Sequence, residues 1–164
     1  MFFGAEFVAI MLGALAGLGT EVAMAFSVTS RGPNPWDVDS FLNALRIAPQ
    51  VWRALGLLDG TVNSMFRSPE VNAAVGGEAT SYHQHGLAVD IKPGPQFKTV
   101  EEAARLMCAR VKLGMLPDVR TVIWEPSWVH VDFFKANEPR RAPKFIRKIT
   151  DAAGKVSYPP IEGV

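Results

Sequence analysis

The chain has 164 residues, 48% of them hydrophobic and 20% charged, which excludes a disordered chain and fits one domain with its own buried core. Lys and Arg number 17 against 16 Asp and Glu, for a net charge of +1, so no broad basic field marks a nucleic-acid binder. The single cysteine, Cys108, excludes an intrachain disulfide.

Residues 1–29 form an apolar leader whose only charges are Glu6 and Glu21. The stretch 7–20 is shorter than the roughly 20 apolar residues of a membrane span. It matches the core of a signal peptide, and Ala23-Met24-Ala25 supplies an A-x-A cleavage site. No Lys or Arg precedes that core, so three readings stay open: an export signal, a weak membrane anchor and a buried helix. The weakly apolar, Gly/Ala-rich composition resembles the signal-anchors of certain phage endolysins.

Ser30 to Pro35 reads as a loop. Asp39 or Ser40 can cap a helix whose apolar positions run from Phe41 to Leu58, with Pro49 expected to kink or divide it. Asp59-Gly60 is a turn, and Thr61 to Phe66 reads as a strand. Ser68-Pro69-Glu70 starts a short helix that stops at Gly76-Gly77. Leu87 to Ile91 reads as a strand. Thr99 and Glu102 form a capping box before a helix that ends near Gly114. Cys108 lies in that helix as a small buried residue. Arg120 to Trp124 and Trp128 to Phe133 are two further strands, with Pro126-Ser127 a tight turn or bulge between them. Lys135 to Lys148 holds six cations and one acid. Phe145 to Ile149 and Val156 to Tyr158 can pair as a hairpin. The pattern is α+β: a small single domain with a mostly antiparallel sheet flanked by helices. The leader 1–29 precedes a main domain over 36–134, and 135–164 forms a basic C-terminal extension or a hairpin of the same domain.

All three histidines fall between residues 83 and 130. His83, His85 and Asp90 stand in SYHQHGLAVD, and His130 stands in WVHVDF. A catalytic zinc takes three His, Asp or Glu ligands and keeps one position open. Two adjacent strands can present Asp90 and His130 to one point, and a loop can bring His83 to it. By composition alone, a scattered His/Asp set of this kind is more often surface or hydrogen-bonded core than a metal site.

The pattern S-x-H-x-x-G-x-A-x-D over Ser81 to Asp90, followed by W-V-H ending at His130, resembles the zinc D-Ala-D-Ala carboxypeptidase and L-alanyl-D-glutamate endopeptidase superfamily. FRSPEVNAAVGG, from Phe66 to Gly77, is similar to that family's Y-R-S-P-E-V-N segment. The resemblance covers about residues 39–134 and rests on three motifs in the family's order. It implies an antiparallel sheet carrying one zinc ion on His83, Asp90 and His130. His85 falls at a variable position of the motif. On a strand or extended loop it would face the same way as His83 and compete with it.

Further roles follow from the resemblance. Arg67 matches a substrate-contacting arginine, and Ser81 matches a serine near substrate or metal. The general base is displaced: Ser127 occupies the position three before the last histidine, where many members carry a carboxylate. Glu125, five before His130, is the candidate, and a turn at Pro126-Ser127 would have to re-aim it. Asp132 competes as base, although an acid so near a metal histidine more often orients it. Trp124 and Trp128 are core residues or a wall of a substrate groove, with Trp128 the candidate contact. The implied activity is hydrolysis of a peptide bond in the stem peptide of bacterial peptidoglycan. An endolysin-like L-Ala–D-Glu endopeptidase and a D-Ala-D-Ala carboxypeptidase are the two forms. A non-catalytic zinc-containing wall-binding or assembly module is the alternative, kept open by the displaced Glu125. The expected setting is periplasmic, extracellular or wall-associated, with no nucleic-acid partner, a monomeric state, and membrane association only through residues 7–20.

Overall fold

The computed structural model describes residues 2–3 and 36–164. The leader expected over 1–29 therefore lies outside the described residues, apart from Phe2 and Phe3. Strand β1 (Phe2–Phe3) pairs antiparallel with β2 (Trp36–Asp37). Helix α1 (Val38–Leu58) follows directly. Its cap is Asp37, not Asp39 or Ser40: the Asp37 carboxylate accepts the Ser40 N–H at 2.9 Å and the Ser40 hydroxyl at 2.8 Å. Pro49 does not divide α1, which runs through it with Pro49 on the exposed side. Solvent there can take up the carbonyl that the proline ring cannot satisfy.

Asp59 closes α1 in the left-handed conformation at φ 43°, and β3 (Thr61–Ser64) leaves the turn. Helix α2 (Pro69–Ala74) starts as its sequence dictates. The Ser68 hydroxyl accepts the Val71 N–H, and Pro69 fills a first-turn position that needs no donor. A 3-10 turn (Tyr82–His85) leads into β4 (Ala88–Lys92). Helix α3 (Val100–Lys112) is capped by Thr99, which accepts the Glu102 N–H at 3.2 Å. The Glu102 carboxylate reaches back to the Lys98 N–H at 2.9 Å. Then come β5 (Val119–Trp124), β6 (Val129–Phe133), β7 (Lys144–Arg147), and a small hairpin of β8 (Ile149–Thr150) and β9 (Val156–Ser157).

Five strands form the main sheet in the order β3-β4-β6-β5-β7. Every neighbouring pair is antiparallel except β5 and β7, which run parallel. The domain is thus α+β, with three α-helices among the described residues and a mostly antiparallel mixed sheet. The hairpin expected near the C-terminus exists as β8-β9, but β7 departs from it to become the edge of the main sheet. Ile161 follows it into the core and donates its N–H to the Phe145 carbonyl at 3.0 Å.

Alternation divides the sheet into two faces. Val89, Ile91, Val122, Val129, Val131 and Phe133 are buried in the core. Ala44, Ile47, Val51 and Leu58 of α1 and Ala104, Met107 and Cys108 of α3 belong to the same cluster. Each fully buried Leu, Ile or Phe contributes about 1.5–3 kcal/mol relative to exposure. The intervening residues of the same strands, Asp90, Thr121, Ile123, His130 and Asp132, line the open face.

Candidate metal centre and cleft

Asp90 and His130 are register partners across β4 and β6. Directly opposed residues point to the same side of an antiparallel pair. Ser81 opens the 3-10 turn and accepts the His83 N–H at 3.3 Å, and Gly86 ends the turn with a left-handed φ of 63°. This turn drops His83 onto the two strand residues. The Arg67 N–H fastens its backbone by donating to the His83 carbonyl at 3.1 Å.

The three side chains converge. Asp90 Oδ1 lies 2.8 Å from His130 Nδ1 and 3.3 Å from His83 Nε2. The two ring nitrogens are 3.2 Å apart. His83 Nδ1 donates to the Met65 carbonyl, which leaves Nε2 as the acceptor facing the cluster. Two acceptors, Nε2 and a carboxylate oxygen, therefore meet with little water: His83 and Asp90 are 3% and 2% exposed. Such an arrangement calls for a cation among them. A tetrahedral zinc with bonds of about 2.0–2.2 Å separates its ligand atoms by about 3.3–3.5 Å, close to the spacing found. Neutral imidazoles and a carboxylate suit that ion, and the set fits it.

The electrostatics agree. Burial lowers His83 below its ordinary value, so it stays neutral despite Asp90. Burial would raise Asp90, but the charges and hydrogen bonds of His83 and His130 hold it well below the carboxylate range. Burial also opposes charge on His130. The nearby Asp132 carboxylate and the hydrogen-bonded Asp90 override it and raise His130 to about 9. In the metal-free chain the proton on His130 stands where a metal cation would.

Around this cluster lies a cleft of about 1140 Å³. That exceeds a typical small-ligand pocket of about 300–1,000 Å³ and suits an extended peptide. Arg67 lines it, pairing with Asp90 Oδ2 at 2.5 Å and Ser64 Oγ at 2.8 Å. Its acidic partner is thus Asp90 rather than a surface acid such as Glu70.

Glu125 is buried in the same cleft. It does not sit on the strand of His130. Pro126-Ser127 forms a two-residue hairpin turn, with the Glu125 N–H donating to the Trp128 carbonyl at 3.1 Å. The register pairs Ile123 with His130 and Trp124 with Val129. Glu125 thus shares a face with Trp128, Ile123 and His130. Glu125 Oε2 accepts no hydrogen bond among the described residues but lies 3.3 Å from Lys148 Nζ.

The two tryptophans separate by the same parity. Trp128 lines the cleft, whereas Trp124 packs on the core, with the Arg147 guanidinium 5.9 Å from its ring centre. Asp132 is held by Arg120 Nη1 at 3.0 and 3.1 Å, and lies 3.8 Å from His130 Nε2. It faces the His130 ring and is itself clamped by Arg120. Arg120, which stands in no motif of the sequence, also lines the cleft. Its position beside a register shift in β5 lets it face the cleft, and its guanidinium stacks 4.2 Å from the Tyr82 ring.

His85 stays outside the cluster. In a 3-10 turn residues three apart align, so His85, two after His83, points elsewhere. It is exposed and packs edge-on to Tyr82. The alternative in which His85 competes with His83 required an extended segment, and the segment is a tight turn. Burial pushes the Cys108 thiol up to about 12, so it offers no thiolate near neutral pH.

The model of the peptidase M15 family matches residues 21–132. No curated protein matches the chain. The match spans all three residues of the His83, Asp90 and His130 cluster together with Arg67, Ser81 and Glu125, and covers more than half of the chain, so the chain belongs to the peptidase M15 family of zinc-dependent peptidases.

Proposed function

We propose that the protein is a zinc metallopeptidase that hydrolyses a peptide bond in the stem peptide of bacterial peptidoglycan. The observation that carries the reading is the meeting of His83, Asp90, His130 and buried Glu125 on one face of a peptide-sized cleft. His83, Asp90 and His130 would hold the ion. A zinc ion held there supplies Lewis acidity toward water and the scissile carbonyl.

The chain's own residues do the remaining work. Glu125 takes the proton of the attacking water and returns it to the leaving amine. Arg67 holds Asp90 and lines the cleft where negative charge develops on the carbonyl oxygen. Arg120 and Asp132 fix the ring of His130. Trp128 presents a flat apolar wall against which a peptide can lie. Ser81 sets the His83 turn at the rim.

Within this class, an L-Ala–D-Glu endopeptidase of endolysin type is preferred to a D-Ala-D-Ala carboxypeptidase, because a cleft of about 1140 Å³ has room for more of a stem peptide than its terminal dipeptide. The wall substrate goes with a periplasmic, extracellular or wall-bound setting, with residues 7–20 as export signal or anchor. Among the described residues no helix is long and apolar enough to cross a membrane. The test is mass spectrometry of defined muropeptides after incubation with zinc-loaded protein, with and without chelator. Chelator-sensitive cleavage after L-Ala is expected. Loss of terminal D-Ala would assign the carboxypeptidase form, and no cleavage at all would sink the enzymatic reading.

A further inference from the structure

One wall of the cleft comes from residues beyond the family match, which ends at residue 132. Strand β7 pairs in parallel with β5, Thr121 with Lys144 and Ile123 with Ile146. The Lys148 N–H continues the ladder to the Trp124 carbonyl at 2.9 Å. Lys144, Ile146 and Lys148 therefore share the face of Ile123 and His130, and all three line the cleft. Val156 and Tyr158 of the small hairpin line it beside them, both partly exposed.

The charge balance along the cleft is uneven. Near the metal cluster each cation has its acid: Arg67 holds Asp90, and Arg120 holds Asp132. At the β7 edge Lys144 forms no ion pair among the described residues, and Lys148 meets only Glu125. Lys148 therefore already has its acid, and the Lys144 ammonium, left without one beside an apolar wall, matches a carboxylate carried on a peptide. Two strand spacings separate β7 from β6, so this edge lies about 10 Å from the column of His130. That is about three residues of extended chain.

We propose that Lys144 forms a carboxylate subsite, walled by Val156 and Tyr158, that selects substrate peptides bearing a free carboxylate close to the scissile bond. The proposal rests on the peptidase reading of the same cleft, and its test separates the two. Zinc-loaded full-length protein is titrated with a synthetic L-Ala-D-isoGlu-L-Lys-D-Ala-D-Ala stem peptide. Two analogues, each amidated at one carboxylate, are titrated alongside, and binding is followed by calorimetry and cleavage by mass spectrometry.

One of the two amides should bind about tenfold more weakly than the acid. Lys144→Gln, an exposed change that leaves the core intact, should erase that difference while binding the same amide as wild type does. Lys144→Glu should reverse the preference. Equal binding of all three peptides, or a Lys144→Gln loss equal on acid and amide, overturns the subsite. Lys144-dependent discrimination without any cleavage upholds the subsite and removes the peptidase reading instead.

Discussion

Asp90 Oδ1 stands 2.8 Å from His130 Nδ1, directly across the central pair of strands. This pair places a proton where a metal would sit, and the two must compete. With His130 raised to about 9 and His83 lowered, zinc binding near neutral pH displaces one proton from the protein, that of His130. Apparent zinc affinity should rise up to about tenfold per pH unit from pH 7 and level off above about 9. Calorimetry in two buffers of different ionisation enthalpy measures the proton directly. An affinity independent of pH over that range would refute the shared position.

The same proton acts on stability once zinc is removed. His130 has a folded value of about 9 against an ordinary 6.5, so the folded metal-free chain holds the extra proton between those values. That contribution is complete below about pH 6.5 and is lost as pH rises to about 9. Asp90 has the opposite sign. Its lowered value gives stability above about pH 4 that is lost on acidification. Urea unfolding of chelated protein should show a lower midpoint at pH 9 than at pH 6.5, and zinc should abolish the alkaline loss. A midpoint that climbs toward pH 9 without metal would contradict this account.

Glu125 and Asp132 are separable by their partners. Glu125→Gln should cut turnover by about 10²-fold or more and leave zinc stoichiometry unchanged. Asp132→Asn removes the clamp on Arg120 and the partner of His130. It should weaken zinc by about 10–100-fold, with turnover largely restored at saturating metal. Metal analysis alongside kinetics tells the two apart. Wild-type turnover by Glu125→Gln would dismiss it as base.

Arg67→Met leaves the 2% exposed Asp90 without its guanidinium. Breaking a buried ion pair typically costs about 3–5 kcal/mol, because the remaining charge is stranded. A metal ion offers Asp90 another cation, so the destabilisation should be larger in chelated than in zinc-loaded protein. Paired thermal melts read this difference. Equal losses would mean that Arg67 acts on something other than the metal carboxylate.

His83→Ala should abolish stoichiometric zinc, whereas His85→Ala should keep it. The distinction was visible in the spacing of the motif but not in its geometry. The alternation in AVDIK and VHVDF displayed both strands and their polar face. The spacing of Glu125 was harder to read. Five residues before His130 is the wrong parity on one strand and the right parity across a two-residue hairpin turn, and only the register decides between them. The departure of β7 to the main sheet was hidden for another reason. A hairpin partner is local in sequence, while the parallel pairing with β5 needs the packed sheet as a template. Arg120 carried no motif at all, and its place depends on a register shift that the residues around it do not announce.

The parallel pairing of β7 bears on how the protein can be divided. Within the described sheet, a fragment stopping soon after His130 would keep every metal ligand, yet leave β5 with a bare row of peptide groups. Such a row invites a foreign strand. The ligand-bearing segment is therefore not a portable cassette: grafted into another scaffold, it would need a surrogate strand along β5 before its centre could stay monomeric and soluble.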